Sequence, residues 1–343
     1  MFVLGLDIGY SNLKLAYGEK GEEPKVEVLP VGAGPAELMP QQLMGGASNC
    51  ILVDIDGEKW VAGVEPDRLQ GWERELHGDY PSTKSYKALF LAGLLLSGRS
   101  EIDVLVTGLP VDQFMDKSKR DALVERLTGE HQISPKRKVL VKSVVVVPQP
   151  AGAYMDVVSS CDDEELLEII NEGRTVVIDP GFFSVDWVAL EEGEVRYQSS
   201  GTSLKAMSML LQELNRLIQE DYGTGPGLEK IEKTIRSNKK ELLLHGSKVP
   251  LGEYFDKAAS KVAPNALTPM KKSMREEGMA ADAVLLAGGG ASAYKEAAKE
   301  LFPHSKVVVP SNSAKSLKKD VLGRLFLYLK SSAHKACLTL YGE

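Results

Sequence analysis

The stretch LGLDIGYSNLKLAY, Leu4 to Tyr17, is an apolar run closed by Asp7, one spacer, Gly9, a few mixed residues and a second alternating run. VVIDPGFFSVDWVAL, Val176 to Leu190, repeats that order of residue types, with Asp179 lying 172 positions after Asp7 (179 minus 7). Each reads as strand, tight turn, strand. A glycine turn of this kind gathers backbone N–H groups around one concavity, which favours an anion. A carboxylate beside that anion is repulsive unless a divalent cation lies between them, and Mg²⁺ held mainly through water suits the place. One such segment alone is equally an ordinary β-hairpin with a Gly turn. Two of them, one in each half of the chain, would clamp a phosphate chain from both sides of a cleft.

The rest of the chain fits a frame of two domains. Its 343 residues exceed one ordinary core, and 43% hydrophobic with 26% charged residues is the profile of a globular protein. A net charge of −7 argues against nucleic-acid binding, and 6% aromatic residues offer no base-stacking surface. Cys50, Cys161 and Cys337 are odd in number and far apart, which reads as reduced thiols in a cytoplasmic protein rather than a disulfide framework or a zinc site. The N-terminus has no basic flank or long apolar run, so no signal peptide is expected, and no run of about 18 apolar residues predicts a membrane span.

Strands and helices alternate, which predicts an α/β fold. Ile51–Gly63 reads as a hairpin turning at Asp56-Gly57, Thr83–Leu96 as a helix, and residues 102–110 as a buried strand with a helix after Val111. The run in Lys138–Val158 stops at Pro148, before a helix start. CDDEELLEIINEG reads either as a short amphipathic helix or as a connector. Further on, Val195–Ser199 reads as a strand. Helices are predicted over Ser203–Tyr222, Gly227–Ser237, Leu251–Glu277 and Ala314–Ala333.

A third loop, LLAGGGASAY from Leu285 to Tyr294, sets three glycines between a strand and a helix. Such a turn lets a planar or anionic ligand approach the backbone, and the helix N-terminus adds positive potential. It is not a dinucleotide fingerprint, since GxGxxG is absent, and no GxxxxGK[ST] occurs anywhere.

In their order and spacing the three loops resemble the actin–hexokinase–chaperone ATPase superfamily, and the compact length resembles bacterial and archaeal actins of the ParM type. TGLPVDQF, Thr107 to Phe114, is similar to the strand end of that group, and DPGFFSVDW is similar to its plasmid- or PRTRC-associated branch. The resemblance implies two ribonuclease-H-like actin-fold domains around a central nucleotide cleft. Residues 1–162 with 314–343 would form the first domain and 163–313 the second.

Carried onto this sequence, the resemblance gives Asp7 the water-coordinated Mg²⁺. It gives Gly9, Tyr10, Ser11 and Asn12 the first phosphate turn, and Lys14 a phosphate contact. Asp179 and Gly181 anchor the second turn, with Phe182, Phe183 and Ser184 along its backbone and Asp186 as a second acidic residue for Mg²⁺ or a hinge. Phe182 and Phe183 depart from the small residues usual there, which puts the approach of that turn to the γ-phosphate in question. Gln149 stands where relatives orient the attacking water, a role an amide can fill because phosphoryl transfer to water depends on positioning more than on a strong base; the alternative is a helix cap. Gly288, Gly289 and Gly290 face adenosine, with Lys205 and Lys230 as candidates for the adenine–ribose pocket or as solvated helix lysines.

The implied activity is hydrolysis of ATP, with GTP as the alternative nucleotide, coupled to head-to-tail filaments that segregate plasmid or other DNA through a DNA-bound adaptor. A metabolite kinase or a non-polymerising ATPase of the same fold are the competing readings; no acceptor pocket for the former is identifiable. The closing helix reads as packing on the first domain, with a membrane anchor as the other reading.

Overall fold

A computed structural model describes residues 1–40, 50–75, 77–274 and 280–309. The chain divides into two compact units. Of the described residues, the first holds Met1–Leu109 and Gln113–Pro148; the second holds Pro110–Asp112 and 149–309.

In the first unit β1 (Phe2–Ile8), β2 (Asn12–Glu19) and β3 (Lys25–Pro30) form an antiparallel meander. Further along the chain, beyond a small antiparallel sheet of Gly32–Pro35, Ile51–Ile55 and Glu58–Val64, lie helix α1 (Lys84–Leu96) and two more strands of the main sheet, β4 (Val104–Leu109) and β5 (Val144–Pro148). The sheet order is β5-β4-β1-β2-β3, with β1, β4 and β5 mutually parallel. Val3, Leu4 and Leu6 in β1 are all buried because the strand is covered on both faces, so its apolar residues run on rather than alternate. α1 starts where the Thr83 hydroxyl accepts the Tyr86 N–H at 3.2 Å. It buries Leu89, Phe90, Leu91 and Leu94, each worth about 1.5–3 kcal/mol.

The second unit begins with α2 (Gln149–Ser160) and α3 (Glu164–Glu172). β6 (Arg174–Pro180), β7 (Val185–Glu191) and β8 (Glu194–Ser203) make another antiparallel meander. Then follow α4 (Met207–Tyr222), α5 (Leu228–Arg236), α6 (Gly252–Ser273), β9 (Ala283–Leu286), α7 (Ala291–Leu301) and β10 (Lys306–Val308). Here the order is β8-β7-β6-β9-β10, again with three parallel strands. Both sheets therefore join a three-stranded meander through its first strand to two parallel strands. The duplication expected from the two Asp-x-Gly hairpins is a duplication of whole sheets.

Most predicted elements stand within a few residues. The hairpin at Asp56-Gly57 turns with φ of 56° and 89°, positive at both positions as a two-residue turn that matches strand twist requires. CDDEELLEIINEG resolves as a helix, α3, because the Asp163 carboxylate accepts the Leu166 N–H at 3.0 Å and caps it. β8 runs on to Ser203, so α4 starts at Met207 rather than at Ser203. The hairpin of Glu241–Leu244 and Ser247–Pro250 lies between two predicted helices, in a stretch the sequence reading leaves unassigned. Residues 314–343, with the closing helix, lie outside the described residues. Among the described residues no helix is long and apolar enough to cross a membrane.

Candidate functional site

In the first unit the turn Gly9–Asn12 closes between β1 and β2, with the Gly9 N–H donating to the Asn12 carbonyl at 3.1 Å. Asp7 and Lys14 are opposite one another in the strand register, and the Lys14 ammonium lies 3.1 Å from the Asp7 carboxylate. Both side chains keep some exposure, 33% for Lys14 and 18% for Asp7. A half-wet pair of this kind is worth at most about 1 kcal/mol, so either partner is readily drawn to a stronger charge. The Tyr10 ring stacks on Tyr80 at 4.6 Å and 28°, and its hydroxyl donates to the His77 carbonyl at 2.8 Å. The Tyr10 carbonyl accepts from the Arg74 guanidinium at 2.9 Å.

The turn of the second unit has the same build. The Gly181 N–H donates to the Ser184 carbonyl at 2.8 Å, and Asp179 faces Asp186 in the register as Asp7 faces Lys14. The Phe182 ring packs against the unit's apolar core, as Tyr10 does in the first unit. Its bulk is thereby directed into the core. The Gly181 and Phe182 carbonyls accept the Met207 and Ser208 N–H groups at 3.3 and 2.8 Å, so the N-terminus of α4 rests on this turn. These bonds satisfy two of the N–H groups that a helix start leaves open.

The glycine loop meets the same turn. A Cβ on Gly288 would fall 2.1 Å from the Asp179 Oδ1, and one on Gly290 would fall 2.6 Å from the Pro180 carbonyl. Gly288 has a φ of +70°, and α7 begins directly after Gly290. Asp179, Gly181, Phe182, Phe183, Ser184, Gly288, Gly289 and Gly290 thus belong to one cluster. Lys205 is exposed just ahead of α4, and its carbonyl accepts from the Tyr294 hydroxyl at 3.4 Å. Lys230 is exposed on α5, a helix that packs on α4. Gln149 is the first residue of α2, whose helix packs on β6 and β7. No group of three or more His, Cys, Asp or Glu side chains among the described residues is arranged to hold a metal by itself.

Residues 5–152 match the family described as "Actin like proteins N terminal domain". Residues 177–300 match "Archaeal actin homologue MreB-like, C-terminal". Both models describe actin-like domains, one in each half of the chain, and the chain has an actin-like fold. No curated protein sequence matches it. Its fold is similar to Ta0583, an archaeal actin homolog, at 18% identity and TM-score 0.73, covering 98% of this chain and 100% of that one. It is also similar to a subunit of a 15-stranded ParM filament from Clostridium botulinum (16% identity, TM-score 0.67, covering 95% and 98%). Bacillus thuringiensis ParM with ATP matches at 15% identity and TM-score 0.61, covering 97% and 100%.

In this actin-fold chain Asp186 is only 2% exposed, and both of its oxygens are engaged. Oδ1 accepts the Thr202 hydroxyl at 2.6 Å and the Val111 N–H at 2.8 Å; Oδ2 accepts the Ser184 hydroxyl at 2.6 Å. Its donors tie three separate pieces of chain, which is the work of an anchor. Burial pushes its carboxyl above the ordinary carboxylate range, against the three donors, which pull it down. The folded form therefore holds this proton more readily than the unfolded chain. Its contribution is largest below the ordinary carboxylate range and fades as pH rises through its native pKa. Asp186→Asn keeps an acceptor for Val111 and Thr202 and offers Ser184 a donor. That variant is expected within about 1 kcal/mol of wild type, gaining relative to it as pH rises, whereas Asp186→Ala should lose about 3 kcal/mol or more by stranding buried donors. Urea denaturation across pH reads both, and an Asn variant that folds yet loses all Mg²⁺ dependence would instead make Asp186 a metal ligand.

Proposed function

We propose that the protein is an ATPase whose two Asp-x-Gly turns bind the phosphates of one Mg²⁺-nucleotide, ATP with GTP as the alternative, and whose copies assemble into filaments. The observation that carries this reading is the pair of equivalent turns, each with an acidic strand end, the second set against a glycine loop. Ta0583 in complex with ADP and B. thuringiensis ParM with ATP share the fold, as does the C. botulinum ParM filament subunit. They support the reading at the level of fold.

Asp7 and Asp179 would hold Mg²⁺ through its water shell, and their hard carboxylate oxygens suit that ion. Mg²⁺ supplies charge neutralisation between the phosphates. The turns Gly9–Asn12 and Gly181–Ser184 would take up the phosphates through backbone N–H groups other than those of Gly9 and Gly181, which close the turns themselves. Lys14, which pairs with Asp7 at 3.1 Å, would contact the phosphate. Gly288–Gly290 border the nucleoside, with Lys205 and Lys230 at its edge. Gln149 orients the attacking water through its amide.

Head-to-tail contacts that do not close into a ring give open polymers, and hydrolysis would loosen them. DNA segregation with a DNA-bound adaptor is the cellular role proposed for such polymers, without direct nucleic-acid or membrane contact by this chain. High-speed sedimentation with Mg²⁺-ATP, run beside phosphate release, tests both halves of the proposal. Wild type should pellet at tens of micromolar and release phosphate. Gln149→Ala should pellet with a nearly unchanged affinity for ATP while releasing phosphate about 100-fold more slowly. A wild-type protein that stays in the supernatant ends the filament reading, and a Gln149→Ala protein that no longer binds ATP assigns that residue to the fold.

A further inference from the structure

The two turns solve the same problem by different means. In the second, the Phe182 carbonyl is held by the Ser208 N–H at 2.8 Å, at the start of α4. Tyr10 occupies the equivalent place in the first turn, between the Asp7–Lys14 strand ends, and its carbonyl is held by the Arg74 guanidinium at 2.9 Å. In a trans peptide the C=O and the following N–H point in opposite directions. Fixing the Phe182 carbonyl therefore turns the Phe183 N–H away from α4, and fixing the Tyr10 carbonyl turns the Ser11 N–H away from Arg74. Neither turn leaves the orientation of that peptide to chance.

Arg74 is itself well placed for this. Its guanidinium lies 5.6 Å from the ring centre of Trp72, and the Trp72 indole N–H donates to the Ala33 carbonyl at 3.0 Å. A guanidinium drawn to an aromatic ring by a cation–π contact is held in place, and its donors keep the rigid fork of the group. Tyr10 is bracketed by the same segment through its hydroxyl to His77 and its ring on Tyr80.

We propose that Arg74 is a positioning residue of the first phosphate turn: it does with a side chain what the N-terminus of α4 does in the second turn, presenting the Ser11 N–H to a nucleotide phosphate. Through Tyr10, the contacts of Arg74, His77 and Tyr80 then sense whether that turn holds an anion. This rests on the reading of the turns as nucleotide phosphate sites.

Calorimetric titration with AMP, ADP and ATP in the presence of Mg²⁺ tests it on the whole protein. Arg74→Ala should weaken ADP and ATP binding about tenfold or more, the worth of one hydrogen bond to a charged group. AMP should stay within about twofold of wild type. Arg74→Lys, which still donates to the carbonyl, should recover part of the loss. Equal affinity for ATP in Arg74→Ala and wild type, or the same loss for AMP as for ATP, overturns the proposal and leaves Arg74 a structural tie. Should Arg74→Ala fail to fold, wild type decides. Hydrogen exchange across Trp72–Tyr80 should slow more with ATP than with AMP, and equal exchange overturns the sensing. A wild-type protein that binds no nucleotide overturns the parent function, an outcome visible without any variant.

Discussion

Asp179→Ala is expected to cut Mg²⁺-dependent ATP hydrolysis by two to three orders of magnitude, the range seen when one preorganised charge-stabilising group is removed. Asp179 stands at the end of β6, with its carboxylate against Gly288 at the mouth of the second turn. Unlike Asp186, it lies where the strand opens into the loops rather than beneath them, so truncating it should leave the melting temperature within a few degrees of wild type. Phosphate release across a Mg²⁺ titration, with thermal unfolding as control, checks the claim. Asp7→Ala supplies a useful contrast. It takes from Lys14 its carboxylate partner at 3.1 Å, so the metal dependence should fall while the lysine remains available to phosphate. Turnover unchanged in the Asp179 variant would reject the site.

The two hairpins were legible because their chemistry is local. An apolar run, Asp, spacer and Gly is enough to specify strand and turn, and repetition 172 positions later is visible by eye. Thr83 is legible as a helix start for the same reason, a short polar side chain ahead of an apolar pattern that satisfies an N–H within three residues, whereas the stretch after Asp163 leaves helix and connector open until the folded chain shows the cap. What escaped was set by partners far along the chain. Asp186 matches a family's acidic position, yet Val111, Ser184 and Thr202 absorb its oxygens, and two of those three lie distant in sequence. Arg74 sits in a polar stretch without periodicity, and only the folded chain brings it to a carbonyl 64 residues away. The start of α4 was misplaced because Met207 and Ser208 find their acceptors on Gly181 and Phe182, not on a neighbouring cap residue.

Duplication also explains how the two hairpins could diverge. Lys14 and Asp186 occupy the same register position opposite the acidic strand end. In the first unit that place carries a partly exposed cation; in the second it carries a buried carboxylate that ties the sheet. The same register position thus holds an ion pair in one turn and a buried anchor in the other. The bracing of the peptide plane then had to be supplied separately in each, by Arg74 in one and by a helix start in the other.

The second large effect is expected from the glycine loop, where neighbouring glycines should behave differently. Gly288→Ala places a Cβ 2.1 Å from the Asp179 Oδ1, at a φ of +70° that costs an L residue about 1–2 kcal/mol before any clash. Relief requires moving the Asp179 carboxylate or the loop, so stability should fall by about 2–4 kcal/mol and ATP affinity by about 100-fold. Gly289→Ala meets nothing within 4 Å. It should leave unfolding unchanged, and it lowers nucleotide affinity only if a nucleoside passes over that backbone. The pair Gly288→Ala with Asp179→Ala separates the two costs of the first variant. Removing the carboxylate removes the clash but not the backbone strain, so the double variant should regain the steric part of the lost stability and none of the hydrolysis. Urea denaturation of the four proteins reads this coupling directly. Additive losses would mean that Gly288 and Asp179 do not meet, and the cluster proposed to receive the nucleotide would have no common centre.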